Sequence, residues 1–128
     1  QSGVAQGRFG WNDLADVTAH IDAELATRGA RLDLVLACGY YGQGRSPLNV
    51  ADHPMRKPNS GMFVEAGRLT GLDFGRSLMV GDRDTDFQAA MGARVPRLFS
   101  PVAHCVGLRF GSAVDSVRPL AEVPGLIA

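Results

Sequence analysis

The chain has 128 residues, 45% of them hydrophobic and 20% charged, the proportions of one soluble globular domain large enough to bury a real core. Thirteen Lys and Arg balance thirteen Asp and Glu, so the sequence lacks the basic excess that nucleic acid and anionic membranes select, and neither is expected as a partner. The longest apolar stretch, residues 34–38, is too short to cross a bilayer, and no charged-then-apolar leader opens the sequence, so a cytoplasmic location is expected. Cys38 and Cys105, far apart in sequence, make no disulfide framework and read as buried reduced thiols. The first residue is Gln1 rather than a methionine, so the sequence reads as a piece of a longer translation product.

In "NDLADVTAHIDAELATRGA" the apolar residues Leu14, Val17, Ile21 and Leu25 form one helical stripe, with Asn12 as cap and Gly29 as stop. "RLDLVLAC", residues 31–38, is a short apolar run of the kind found in a parallel strand buried on both faces. The next stretch, "GYYGQGRSPLNVADHPMRKPNSG", has no periodicity and is long for a plain connection, which points to a loop over a site, about residues 39–59. From Ser60, the residues Met62, Phe63, Ala66 and Leu69 repeat at helical spacing before Gly71, and "SLMV" reads as a second buried strand. A third helix is expected from Thr85 or Asp86, carrying Phe87, Ala90 and Met91 inward, followed by a strand at "RLFS". The tail suggests a strand through "HCVGL" and a short helix near "RPLAEVPGLI". This alternation predicts an α/β fold with a parallel sheet in a single domain, residues 1–128. Parallel sheets bind ligands at the carboxyl ends of their strands, where the long loop and "GDRDTD" both lie, so the two are expected to face one pocket.

"MVGDRDTD" places Asp82, Asp84 and Asp86 within five residues, a concentration of like charge that needs a metal ion or a basic side chain beside it. A calcium loop is excluded, because its sixth position holds Phe87 instead of glycine and its twelfth holds Ala93 instead of glutamate. Asp82, directly after strand and glycine, is expected to bind magnesium. Asp84 is as consistent with a helix cap as with function. Asp86 either binds the metal through water or orients a lysine. The lysine candidate is Lys57, in "MRKPNSG", held out of helical geometry by Pro58. A lysine and a carboxylate cluster together suit phosphoryl transfer, where fixed positive charge neutralises the phosphate.

"QSGVAQGRF", "RKPNSGM" and "LMVGDRDTDFQAA", in that order, resemble the haloacid dehalogenase (HAD) phosphatase superfamily, in its heptose bisphosphate and histidinol phosphate phosphatase branch. The resemblance implies a three-layer Rossmann-like core whose central strand precedes Gln1. Gln1, Ser2 and Gly3 match the end of the family's phosphate-gripping T-N-Q-S-G. Lys57 matches the lysine that stabilises phosphate and nucleophile, Arg56 its substrate-contacting neighbour, and Gly81, Asp82 and Asp86 the metal motif G-D-x-x-x-D. The family nucleophile is the first aspartate of a D-x-D motif upstream of T-N-Q-S-G, so it falls before Gln1. Many members hold a structural zinc in the long loop. Cys38 and His53 stand at two of its ligand positions, but Tyr40 and Met55 replace the other two, so no structural zinc is expected, with Cys38 a core thiol and His53 an ordinary loop histidine.

The expected function is a magnesium-dependent phosphatase of a small phosphorylated metabolite, a sugar phosphate such as a heptose bisphosphate. Tyr40, Tyr41, Arg45 and Ser46 are expected to choose the substrate, with Arg83 at the metal motif and Gln6 and Arg8 as weaker contributors. The alternatives are a non-catalytic phosphate-binding or regulatory domain, and a structural module whose acidic cluster only caps a helix. Residues 1–128 alone are expected to be inactive, with a missing amino-terminal segment of the same protein as companion.

Overall fold

A computed structural model describes residues 1–110 and 116–123. The chain divides into two compact units, Gln1–Arg56 and Lys57–Ala128.

The first unit opens on a four-residue helix, α1 (Ser2–Ala5), too short for any sequence period to reveal, with Val4 and Ala5 buried. Helix α2 (Trp11–Ala26) starts one residue before the expected cap: Asp13, at its third position, accepts the Gly10 N–H at 2.7 Å and satisfies one of the amides a helix start leaves unpaired. The expected apolar stripe is only half inside. Leu14 and Leu25 are half-buried, but Val17 and Ile21 are 56% and 45% exposed. The neighbouring face, with Trp11, Leu14 and Thr18, lines a groove of 540 Å³ together with Leu32 and Val35.

Residues 31–38, expected as a buried strand, carry no regular structure, and Val35 is 47% exposed. Strand character needs a ladder partner, and among the described residues none pairs with this segment; Leu32 N–H goes to the Asp22 carboxylate at 3.2 Å and Cys38 O accepts the Gln1 nitrogen at 2.8 Å. The long loop follows, folded on itself through Tyr41 N–H to Leu48 O (3.0 Å) and Leu48 N–H to Arg45 O (2.8 Å), and tied to α1 by Arg45 N–H to Ala5 O (2.6 Å).

The second unit holds the α/β core. Helix α3 (Gly61–Thr70) follows Ser60 and stops as expected at Gly71, whose φ of 70° is the left-handed value glycine accepts at a helix end. Strand β1 (Leu78–Val80), helix α4 (Asp84–Gly92) and strand β2 (Arg97–Ser100) form the helical crossover that parallel neighbours require, and β3 (Arg118–Pro119) pairs with β2 in the order β1-β2-β3. Met79 lies opposite Leu98, and Phe99 opposite Arg118. The central β2 is buried from Leu98 to Ser100, whereas Val80 of β1, an edge strand among the described residues, is 43% exposed, so "SLMV" is a strand without being a buried one. Phe87, Ala90, Val95, Leu98, Cys105 and Val117 form the core.

The tail differs from expectation. "HCVGL" begins in a 3₁₀ turn, Ala103–Cys105, and "RPLAEVPGLI" gives β3 and a second turn, Leu120–Glu122, with residues 124–127 lying outside the described residues. In the first stretch Gly107, at a φ of 87°, turns the chain before a strand can form. No helix among the described residues is long and apolar enough to cross a membrane.

Phe87 is fully buried in the core, while Val64 on α3 is 64% exposed. In denaturant unfolding, Phe87→Ala is expected to lower stability by about 3–5 kcal/mol, and Val64→Ala by no more than about 0.5 kcal/mol.

Candidate active site

β1 runs out at Val80, and Gly81 N–H extends its ladder by one more bond, to Phe99 O at 3.0 Å. The next three residues turn the chain into α4. Asp86, third in that helix, folds its carboxylate back over the turn: Oδ2 accepts the amides of Asp82 and Arg83, each at 3.1 Å, and Oδ1 accepts the Lys57 ammonium. Gly81 permits this approach, because a Cβ there would stand 2.7 Å from Asp86 Cβ.

Asp86 is 3% exposed. Burial alone would raise its pKa, but the bond from Lys57, the Lys57 charge and the amides of Asp82 and Arg83 outweigh burial and hold it below the ordinary carboxylate value. The carboxylate therefore stays ionised and keeps an ammonium at its side. The Lys57 side chain remains 41% exposed, so its charge faces both the buried acid and solvent.

The three aspartates have separate surroundings. Asp84 accepts the Thr85 amide at 2.8 Å and, with Asp86, supplies the negative charge that a helix start favours. Asp82 is exposed just past the carboxyl end of β1, and its side chain makes no hydrogen bond or ion pair among the described residues, as is true of Arg83. Magnesium takes oxygen ligands, keeps several waters and is commonly held by one or two carboxylates plus a substrate phosphate. Asp82 fits that requirement as one ligand. Asp86, with both oxygens occupied, fits the orienting of Lys57 better than direct coordination. Among the described residues no group of three or more His, Cys, Asp or Glu side chains is gathered for a metal.

The other predicted residues belong to the first unit. Gln1, Ser2 and Gly3 enter α1, where Gln1 O accepts Val4 N–H at 3.1 Å and the Phe9 ring fills the space a side chain at Gly3 would need. Tyr40 stacks on His53 with ring centroids 3.9 Å apart and planes 11° apart, and His53 Nδ1 accepts the Met55 amide at 3.1 Å. Arg56 donates to Tyr40 O at 3.1 Å and places its guanidinium 4.7 Å from the Tyr41 ring centroid. Tyr40, Tyr41, His53 and Arg56 thus meet in one cluster. Arg45 lies against Gly7, while Gln6, Arg8 and Ser46 are half-buried or exposed.

Sequence reasoning missed two residues in the second unit. Ser100 donates its hydroxyl to Gly81 O at 2.7 Å, and the Cys105 thiol donates to Asp82 O at 3.3 Å. The available signal for the first was a polar residue ending an otherwise apolar strand.

A depressed carboxyl pKa stabilises the fold above the unfolded value and ceases to do so as pH falls through the folded one. Asp86→Asn keeps an acceptor for the two amides but loses the ion pair. It is expected to cost about 1–3 kcal/mol near neutral pH. The gap from wild type should close as pH drops below 3.8, the unshifted carboxyl value, in urea unfolding followed from pH 7 to pH 2. A gap independent of pH would contradict the assignment.

Comparison with known proteins places this geometry. Residues 54–97, which hold Lys57 and the whole of the β1 turn, match the HAD-hydrolase-like family model. A D-glycero-beta-D-manno-heptose-1,7-bisphosphate 7-phosphatase of Mesorhizobium japonicum is 42% identical over 128 residues, which are 100% of this chain and 58% of the relative. An enzyme of the same name from Salmonella typhi is 36% identical over 99% of this chain and 69% of its own length. A 1.50 Å crystal structure described as a HAD-like phosphatase, from Mesorhizobium loti, superposes with a TM-score of 0.82 at 40% identity, covering 99% of this chain and 60% of that one. The chain therefore spans about three fifths of the length of the first of these relatives and of that solved structure. With identity sustained from end to end and the Lys57–Asp86 pair lying inside the matched segment, the chain belongs to the HAD-like phosphatase family.

Proposed function

We propose that the protein containing this chain is a magnesium-dependent phosphatase acting in the cytoplasm on a small phosphorylated sugar, with a heptose bisphosphate as the favoured substrate class. The observation that carries this reading is the Lys57 ammonium, fixed by a buried ionised Asp86 beside the exposed carboxylate of Asp82 at the end of β1. Fixed positive charge next to an unpaired carboxylate suits a phosphate ester, whose non-bridging oxygens gain negative charge as its bond to the leaving group breaks. The names of the relatives support the choice of sugar.

In this reading the nucleophile is an aspartate upstream of Gln1. Its carboxylate attacks phosphorus, the phosphorus–oxygen ester bond breaks, and the sugar leaves as an alcohol after taking a proton; water then hydrolyses the aspartyl phosphate to phosphate and free carboxylate. Lys57 holds charge against the phosphoryl oxygens through both steps, and the ion pair with Asp86 keeps it in place. Asp82 would be the direct ligand of a magnesium ion, which when bound supplies further positive charge to the phosphate. Gln1, Ser2 and Gly3 are assigned to the phosphate, and Arg56, Tyr40, Tyr41, Arg45 and Arg83 to the remainder of the substrate.

In the full-length protein, Asp82→Asn is expected to abolish magnesium-dependent release of phosphate while leaving the unfolding midpoint near wild type; turnover close to wild type would remove Asp82 from the site. Lys57→Ala should lower kcat by about 100-fold or more, and an effect confined to KM would make Lys57 a binding residue only. Residues 1–128 expressed alone should give no turnover of an aryl phosphate with magnesium. Robust turnover by that fragment would place the nucleophile inside it.

A further inference from the structure

We propose that Ser100 and Cys105 are positioning residues that aim the Asp82 carboxylate, an inference that rests on reading Asp82 as a magnesium ligand. The chain leaves the sheet at Gly81, and beyond that point the carbonyls of Gly81 and Asp82 pair with no strand among the described residues. Two side chains take them, one at the end of β2 and one in the turn that follows it. The Ser100 hydroxyl, on a residue 2% exposed, donates to Gly81 O at 2.7 Å and accepts Val102 N–H at 3.1 Å, so its single proton has one direction to point. The Cys105 thiol, on a residue 1% exposed, donates to Asp82 O at 3.3 Å. From the opposite side Asp86 Oδ2 takes the amides of Asp82 and Arg83.

The peptide planes on either side of the Asp82 Cα are therefore each held at both ends. The first is held by Ser100 at its oxygen and Asp86 at its nitrogen, the second by Cys105 and Asp86 in the same order. Fixing both planes fixes φ and ψ at Asp82, and with them the direction of its Cα–Cβ bond. What remains is two side-chain torsions on an exposed carboxylate without a partner among the described residues. A ligand in that condition binds with less ordering cost than one on a loose turn, because its backbone is already in place.

The test is magnesium binding to the full-length protein by isothermal titration calorimetry without substrate, a readout independent of turnover. Ser100→Ala and Cys105→Ala should each weaken magnesium affinity by about 10-fold, the size of effect known for groups that orient metal ligands. Cys105→Ser keeps a donor and should recover most of the loss. Val117→Ala removes bulk from the same core without touching the turn, so it should lower the unfolding midpoint and leave affinity unchanged. Should Ser100→Ala fail to fold, the Cys105 pair decides alone. Wild-type affinity in both alanine variants, with binding lost in Asp82→Asn, would overturn the positioning role and leave Asp82 as a ligand. Equal losses in Val117→Ala would also overturn it, reducing Ser100 and Cys105 to packing. Retained binding in Asp82→Asn would refute the metal reading itself, and this inference with it.

Discussion

A buried carboxylate is the constraint around which the second unit is arranged. Removing one partner from a buried ion pair commonly costs about 3–5 kcal/mol, more than a surface ion pair ever returns, so a chain that places Asp86 at 3% exposure must bring it charge and donors. Lys57 comes from just before α3, the two amides come from the turn after β1, and Asp86 itself sits in the first turn of α4. One side chain thus joins the turn between β1 and α4 to a lysine 29 residues earlier. It also favours glycine at position 81, because a β-carbon there would stand 2.7 Å from Asp86 Cβ and 3.0 Å from its Oδ2.

Crowding three aspartates into five residues is tolerable because each is neutralised by different means. Asp86 is paired, Asp84 lies exposed at a helix start where water screens it and the helix dipole favours it, and Asp82 faces solvent. Only the last is left for a ligand. Sequence spacing alone could not settle these roles, since it left Asp84 between cap and function and Asp86 between metal and lysine.

The legible parts of the sequence were those governed by a local rule. Helical spacing with a glycine stop gave α3 to its end at Gly71, and apolar runs gave β1 and β2. The pairing of Lys57 with the acidic cluster was also within reach, because a buried aspartate after a strand demands a cation and one lysine follows the long loop. Features settled by distant partners were not. Residues 31–38 have strand composition without a strand beside them, and Val17 and Ile21 keep helical spacing yet face outward. Ser100 and Cys105 read as a strand end and a core thiol, because nothing local says that two carbonyls nineteen and twenty-three residues earlier need donors.

The loop of the first unit shows how a segment without regular structure is held. Fixing a residue costs about 1–2 kcal/mol of backbone entropy, whereas a stacked aromatic pair or a guanidinium over a ring returns about 0.5–1.5 kcal/mol each. The Tyr40–His53 stack and the Arg56–Tyr41 contact therefore cannot order this loop by themselves. They act together with the backbone bonds among Tyr41, Gly44, Arg45 and Leu48, and the one from Arg45 to Ala5, each of similar net size. The rings act at the loop's base, joining Tyr40 at its start to His53 and Arg56 at its end. A loop fixed at its base and folded by its own hydrogen bonds can vary its exposed side chains without refolding, which is the property a substrate-selecting segment needs.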